Sequence, residues 1–539
     1  MEPRRDTRWW GWGDPSEPAE LGENGEAMLR ERGIEAGDGR PPSLEDVEIP
    51  DASPIPDAVL DAAGRDHVYA SHEDRIRHAH GQNYLDLIAL RSGRLERAPD
   101  AVVVPQSAEA IGPILEACAA AGVAVVPFGG GSSVVGGVAP LKGDHDAVIS
   151  LEMTALRDVE VDQRSLTARL GAGLRGPEAE ALLGERGFTI GHFPQSFEYA
   201  TIGGFAATRS AGQSSSGYGR FDSLVSSIRL VTPAGELSTL ATPHTSIGPA
   251  LREVAVGSEG TLGVIPDVDV RIRPVPAVRR YEAWIVEDFE AGTETVRRLA
   301  QADALPTIIR VSDRTETEVN LAMSMPSGAA GKIFNRYLKL RGRDGGALVI
   351  VGFEGDAASV HRGRSDTIRE IKRGGGVYLG QTAGRGWEKG RFHGPYLREA
   401  LLDRGVLVET LETAHQWSGH RKLYETVKSA IESELAENGM GGLVMCHLSH
   451  AYRDGASLYF TVIAGQGAEG GAVNWPKVKR VACEAIRSAG GTLSHHHATG
   501  TDHVPWVEGE IGAAGVEALG ALKERFDPAG IMNPGKLLP

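Results

Sequence analysis

Three imidazoles in a row, His495, His496 and His497, follow Ser494 and lead to Gly500. Imidazole has an ordinary pKa close to neutrality, so such a run can move protons. Histidine pairs also bind zinc, and Asp502 and His503 stand near enough in sequence to complete a ligand set. The remaining reading is a polar loop. In an extended backbone neighbouring side chains alternate faces, which would put His495 and His497 on one side. Three adjacent histidines beside glycine are unusual enough to favour a chemical role.

A second chemistry is written around residues 124–138. A β-branched run ends at Pro127 and Phe128 and empties into Gly129, Gly130 and Gly131, followed by Ser132 and Ser133. Glycines that accept left-handed angles let successive N–H groups converge on an anion, and two hydroxyls add donors. A strand that opens into such a nest suits the pyrophosphate of a dinucleotide. A second small-residue stretch holds Gln195, Ser196, Thr201, Gly204, Thr208, Arg209 and Ser210, where a flat ring system could lie against backbone. A third places Glu259, Gly260, Gly263, Val264 and Ile265 in a tight passage before a strand. Gly171, Gly173 and Gly176 spell G-x-G-x-x-G, but no parallel strand with a terminal acidic residue follows at the usual distance. They are read as a simple turn.

The elements that must position these loops follow from hydrophobic period and breakers. Strands are expected over 101–104 and 123–128 around a helix over 107–121 capped by Ser107, a parallel strand–helix–strand unit. Further strands are expected over 147–151, 158–161, 166–170 and 268–276, with a hairpin over 224–237. Residues 1–60 read as an irregular arm apart from Trp9, Trp10 and Trp12, and 66–100 as helical. The Pro-rich stretch 273–277 marks a boundary. Beyond it, strands over 281–286, 307–311, 347–353, 377–379, 443–448 and 457–463 alternate with helices, which suits an antiparallel sheet covered by helices. The fold class is α+β.

Length and composition bound the rest. At 539 residues the chain should form more than one domain, and 41% apolar with 24% charged residues is ordinary for a globular protein. A net charge of -16 without a basic run argues against nucleic acid. Cys118, Cys446 and Cys483 form no disulfide pattern, and with no signal-like apolar core a cytoplasmic location is expected.

Taken together, the three glycine-rich loops resemble the vanillyl-alcohol-oxidase type of FAD-binding fold over about 96–276. No histidine stands in 129–133, where covalently flavinylated relatives carry one, so FAD is expected to be held non-covalently. Nearly the whole chain is similar to the alkyldihydroxyacetonephosphate synthase family. The carriers are Trp10-Gly11-Trp12-Gly13, the three loops, Ile309-Arg310-Val311, the histidine run, and Phe526 to Gly530. The resemblance implies an FAD-binding domain over 96–276 after an arm and helical segment over 1–95. A substrate or cap domain over 277–500 and a tail over 501–539 that packs back on the FAD domain complete the division. It implies exchange of the acyl group of acyl-dihydroxyacetone phosphate for a long-chain alcohol, which forms an ether lipid precursor.

The residue roles implied are Tyr459 as the proton-transferring tyrosine, tuned near neutral pH with the histidines, and Arg398 and Arg310 as substrate-side cations. No resident metal is implied. A homodimer with peripheral membrane contact is expected, its partners small-molecule or lipid substrates. Gln195 and Thr501-Asp502-His503 depart from the family pattern. The tail Asn533-Pro534-Gly535-Lys536 is closer to flavin-dependent 2-hydroxy-acid dehydrogenases, the alternative reading.

Overall fold

The apolar run before the glycines folds as the strand Val123–Phe128, buried except at Pro127. The computed structural model describes residues 2–16, 20–324 and 329–539. Val123–Phe128 runs parallel to Ala147–Glu152, which also pairs in parallel with Ala101–Val103, so the two strands of the expected unit flank a third. Val68–Tyr69 closes that edge antiparallel. The connecting helix is Ile111–Ala121, ended by Gly122 at φ 65°. Its start differs from the expectation: a 3₁₀ turn at Ala108–Ala110 precedes it, and the Ser107 side chain makes no capping bond. Pro113 is the reason. Starting at Ile111 keeps this residue in the first turn, where its missing N–H costs nothing.

The outer edge of this sheet is taken by the chain's tail. Val125 N donates to Ile531 O at 2.8 Å, and Asn533 N donates to Val125 O at 2.8 Å. The buried Asp527 carboxylate fixes that turn, accepting from Ile531 N at 3.1 Å, Met532 N at 2.7 Å and Lys523 Nζ at 2.6 Å. A five-stranded antiparallel sheet completes the first half, in the order Val159–Asp162, Thr167–Gly171, Asp267–Arg271, Val225–Thr232, Gly235–Ser238.

The second half is built on a seven-stranded antiparallel sheet. Its order is Val377–Gly380, Val278–Val286, Ala347–Gly355, Ile308–Ser312, Gly442–Ala451, Gly455–Ala464, Leu407–Gln416. Leu407–Gln416 was not foreseen. Glu409 and Glu412 are both buried but sit three positions apart, on opposite faces, and that breaks any apolar alternation. The helices Arg314–Ser324, Gln381–Gly390 and Gly394–Leu402 were also not anticipated. Along Gly455–Ala464 the faces divide: Phe460 stacks on Tyr424 of the covering helix Trp417–Glu437, and Tyr459 points the other way.

The region read as continuously helical is instead two short helices, His72–Arg77 and Tyr84–Ser92, capped by Ser71 and Asn83. In the arm, Trp9 and Trp12 are buried and the helix Gly22–Glu31 forms. Among the described residues no helix is long and apolar enough to cross a membrane.

The turn that brings the tail to this edge is thus fixed by one carboxylate. Asp527→Ala would strand two buried amides, each worth about 1–3 kcal/mol. The urea midpoint of the variant should fall clearly below that of the parent chain.

Candidate active site

Register alone assembles half of the site. Glu412 pairs with Tyr459, Tyr459 with His447, and His447 with Ser312. These four side chains therefore form one row across four strands, with Arg310 two residues from Ser312 on the same face. The His447 and Tyr459 rings stack at 4.9 Å. Arg310 forms a buried ion pair with Glu316 and lies 3.0 Å from His447 Nδ1.

The histidines sit above this row on a compact loop, not an extended strand. Glu412 Oε1 accepts from the Ser494 hydroxyl at 2.7 Å and from the amides of His495, His496 and His497 at 2.8, 2.9 and 2.9 Å. Because three amides converge on one oxygen, the rings fan out together and neighbours meet: His495 Nδ1 and His496 Nδ1 are 3.0 Å apart. His497 lies edge-on to Tyr459 at 5.5 Å. His450 and Tyr452 join from the strand hairpin. The His450 ring stacks on His495 at 5.3 Å, and Tyr452 bonds His495 Nε2 at 2.7 Å.

A second carboxylate holds the far end of the loop. Glu259, expected among the cofactor residues, instead aims its buried carboxylate at the amides of Thr499 and Gly500, 2.8 and 2.7 Å away. Thr501 N then donates to Val135 O at 2.9 Å, which seats the histidine loop directly on the continuation of the glycine nest. His503 Nδ1 meets Ala498 O and Asp502 pairs with Lys479, so neither joins the histidines as the zinc reading required.

Enclosure sets the protonation. Burial pushes the Tyr459 phenol up to about 12, with Thr410 and Arg398 pulling the other way. Burial and the neighbouring His496 push His497 down to about 3, and His450 and His495 well below their usual value. Burial alone would raise Glu412, yet the adjoining histidines hold it well below the carboxylate range. Neither Tyr459 nor His495 nor His497 is a base poised near neutral pH in the resting site, contrary to expectation. Charge on any of them would be stripped of water.

The nest fits a diphosphate. Among the described residues, no N–H from Gly129 to Ser133 has a hydrogen-bond partner within the chain, so five consecutive donors stand unspent. The glycines are required by close approach: a Cβ on Gly130 would lie 1.9 Å from Tyr199 O, and one on Gly129 2.3 Å from Thr201 Oγ1. Ser133 Oγ accepts from Gly137 N at 2.8 Å, leaving its proton to donate. Pro127 packs near Gly260, and Phe128 against His78. The arm closes the outside of this cavity with Arg4, Thr7, Arg8 and Trp12. Sequence reasoning did not tie the arm to the nest.

The second stretch is more mixed. Thr201 caps the helix Ile202–Ala207, with Gly204 in its first turn, and the Thr208 hydroxyl donates to Gly204 O. Ser210 Oγ is 3.0 Å from His192 Nε2. Ser196 turns the chain toward Ala200, and Gln195 Nε2 is buried without a partner. Arg209 is spoken for by Glu253 at 2.9 Å. Gly263 and Val264 run against Val231, where a Cβ on Gly263 would lie 2.4 Å from Val231 O, and Ile265 is core. Gly171, Gly173 and Gly176 serve close packing against Leu156, Met153 and Phe197.

Arg398 enters from the helix Gly394–Leu402. Its two terminal nitrogens donate to Gln82 O at 2.7 Å and Gln82 Oε1 at 2.9 Å, while Gln82 N donates to Ser133 O. The tail Asn533-Pro534-Gly535-Lys536 is a brace: Asn533 Nδ2 donates to Gly137 O and Glu259 O, and Lys536 to Ala139 O.

Two family models match the chain, FAD binding domain over residues 99–241 and FAD linked oxidases, C-terminal domain over 275–537. FAD is the cofactor. Alkyldihydroxyacetonephosphate synthase of Trypanosoma brucei brucei is 34% identical over 90% of this chain and 81% of that protein. The chain belongs to the alkyldihydroxyacetonephosphate synthase family. The synthase of Dictyostelium discoideum is 32% identical over 86% of this chain and 77% of its own length. A solved synthase structure superposes with a TM-score of 0.85 at 27% identity, covering 99% of both chains.

Two outcomes follow from the geometry. Gly130→Ala should yield protein that lacks the visible flavin absorbance, since the new methyl displaces Tyr199 from the nest. Glu412→Gln should speed hydrogen exchange at the amides of His495 to His497, because a neutral amide oxygen accepts more weakly than a carboxylate and the NH2 group replaces the acceptor that faces His495 N.

Proposed function

We propose that this chain is an FAD-dependent alkyldihydroxyacetonephosphate synthase, replacing the acyl group of acyl-dihydroxyacetone phosphate with a long-chain alcohol. The observation that carries the reading is the juxtaposition of Tyr459, Arg398 and the histidine loop against the unspent amides of the nest. When bound, the flavin supplies an electron-accepting ring beside the substrate carbon.

The chain's own residues divide the remaining work. Arg398, whose Nε is buried without a partner, and Arg310, shared with Glu316, offset the charge of the phosphate and of the departing carboxylate. The same dianionic phosphate favours positive charge beside it, so substrate arrival brings the imidazoles of the loop toward accepting a proton. Tyr459, neutral in the resting site, passes protons between substrate carbon and the imidazoles. Exclusion of water by the loop and the hairpin keeps the acyl group from hydrolysis.

Non-covalent FAD is supported by a nest, residues 129–133, that carries no histidine. Peripheral membrane contact is supported by the helix Ala329–Leu340, which exposes Ile333, Tyr337 and Leu340 at one-turn spacing alongside Arg336 and Lys339. We propose a homodimer on the family resemblance, and a cytoplasmic location on the three free cysteines, Cys118, Cys446 and Cys483.

Labelled hexadecanol with acyl-dihydroxyacetone phosphate should give labelled ether. Tyr459→Phe should lose at least about a hundredfold in rate with FAD still bound. Absence of ether from FAD-loaded protein, with anaerobic bleaching by D-lactate or glycolate, would favour a dehydrogenase instead.

A further inference from the structure

The histidine run has a third member on another element. His450, on the strand Gly442–Ala451, closes a triangle with His495 and His496. The three ring centroids lie 5.3, 5.1 and 5.3 Å apart. One nitrogen from each ring lies within 4.8 Å of the other two. A zinc ion with bonds of about 2.0–2.1 Å needs ligand nitrogens about 3.4 Å apart, which small ring rotations would reach. His495 Nδ1 and His496 Nδ1 are already within that distance.

Three further observations point to a ligand. His450 Nδ1 is buried in a residue only 4% exposed, and it has no hydrogen-bond partner. His495 has its remote nitrogen on the Tyr452 hydroxyl, which would fix its N–H there and leave Nδ1 a lone pair, the arrangement usual for a metal-bound imidazole. Glu412 Oε2 lies 3.3 Å from His496 Nδ1 and accepts from the His495 amide at 2.8 Å, so the carboxylate, held in place by the loop's backbone, would stand beside the ion as a counter-charge. An approach route exists: a cavity of about 810 Å³ opens on His495 and Tyr452, its wall carrying the ion-paired Asp222, Glu253, Arg220 and Arg252.

We propose that His450, His495 and His496 form a binding site for a divalent transition-metal ion of the zinc class, and that occupancy silences the enzyme. Three imidazoles with no thiolate suit zinc, cobalt, nickel or copper and exclude magnesium and calcium, which take oxygen ligands. The binding claim stands on the cluster alone. The silencing rests on the synthase reading, in which the same imidazoles must be free to take protons.

The test uses the FAD-loaded chain dialysed against micromolar zinc chloride and washed. Elemental analysis should give one zinc per chain, and X-ray absorption at the zinc edge should report three imidazole nitrogens. His450→Asn and His495→Asn should each weaken retention at least about tenfold, with the flavin spectrum as the check on folding. Ether formation should stop with zinc and return with a chelator. No retained zinc, or a ligand shell without imidazole, overturns the site, and the zinc-edge measurement on the unaltered chain decides this even if both variants lose flavin. Zinc retained on imidazoles with ether formation unchanged overturns the silencing. A metal-free chain that makes no ether bears on the proposed function and leaves the site standing.

Discussion

One carboxylate organises the reactive end of this protein. Glu412, 3% exposed, gathers the Ser494 hydroxyl and the amides of His495, His496 and His497. A buried charge of this kind is tolerable only when its lone pairs are filled, and here the backbone of the loop fills them. The result is a loop whose side chains are aimed by its main chain. Glu259 does the same from the other half of the molecule, so the histidines are anchored to both the cap sheet and the FAD domain. Removing either acid would strand amides and free the rings.

The same enclosure explains the electrostatics. A phenol, the five imidazoles of His447, His450, His495, His496 and His497, and the Arg310–Glu316 ion pair lie close together and largely buried. Burial therefore keeps the resting site near neutral, with Tyr459 protonated and His450, His495 and His497 uncharged. Such a site is poor at holding a spare proton until an anion arrives. Substrate phosphate would supply that anion, which ties proton transfer to substrate binding and not to bulk pH.

How much of this was legible in the sequence depended on whether a residue acts through local pattern or through register. The Val123–Phe128 strand and its glycine nest were readable because β-branched residues and glycines specify their own backbone. The parallel unit and most cap strands followed from the same periodicity. Glu412 was invisible, since an acid inside LVETLETAHQ disguises a strand, and its partners are amides that any sequence carries. His450 and Tyr452 were missed because a hairpin, not spacing, brings them to His495. Arg209 and Glu259 stood at plausible positions in glycine-rich loops, yet an ion pair and a loop clamp claim their side chains. The tail that resembled a dehydrogenase proved to be a brace for residues 137–139, a task the fold imposes whatever the reaction.

Two adjoining features carry the proposed reaction, an amide nest for the diphosphate and a histidine loop clamped by Glu412 and Glu259. A crystal structure of the FAD-loaded chain with a dihydroxyacetone phosphate ester bound tests both at once. It should show diphosphate oxygens within hydrogen-bond distance of the amides of residues 129–133, and the ester phosphate near Arg398 with its reacting carbon between the flavin and Tyr459. Diphosphate held elsewhere, or an ester seated away from Tyr459 and the histidines, would contradict it.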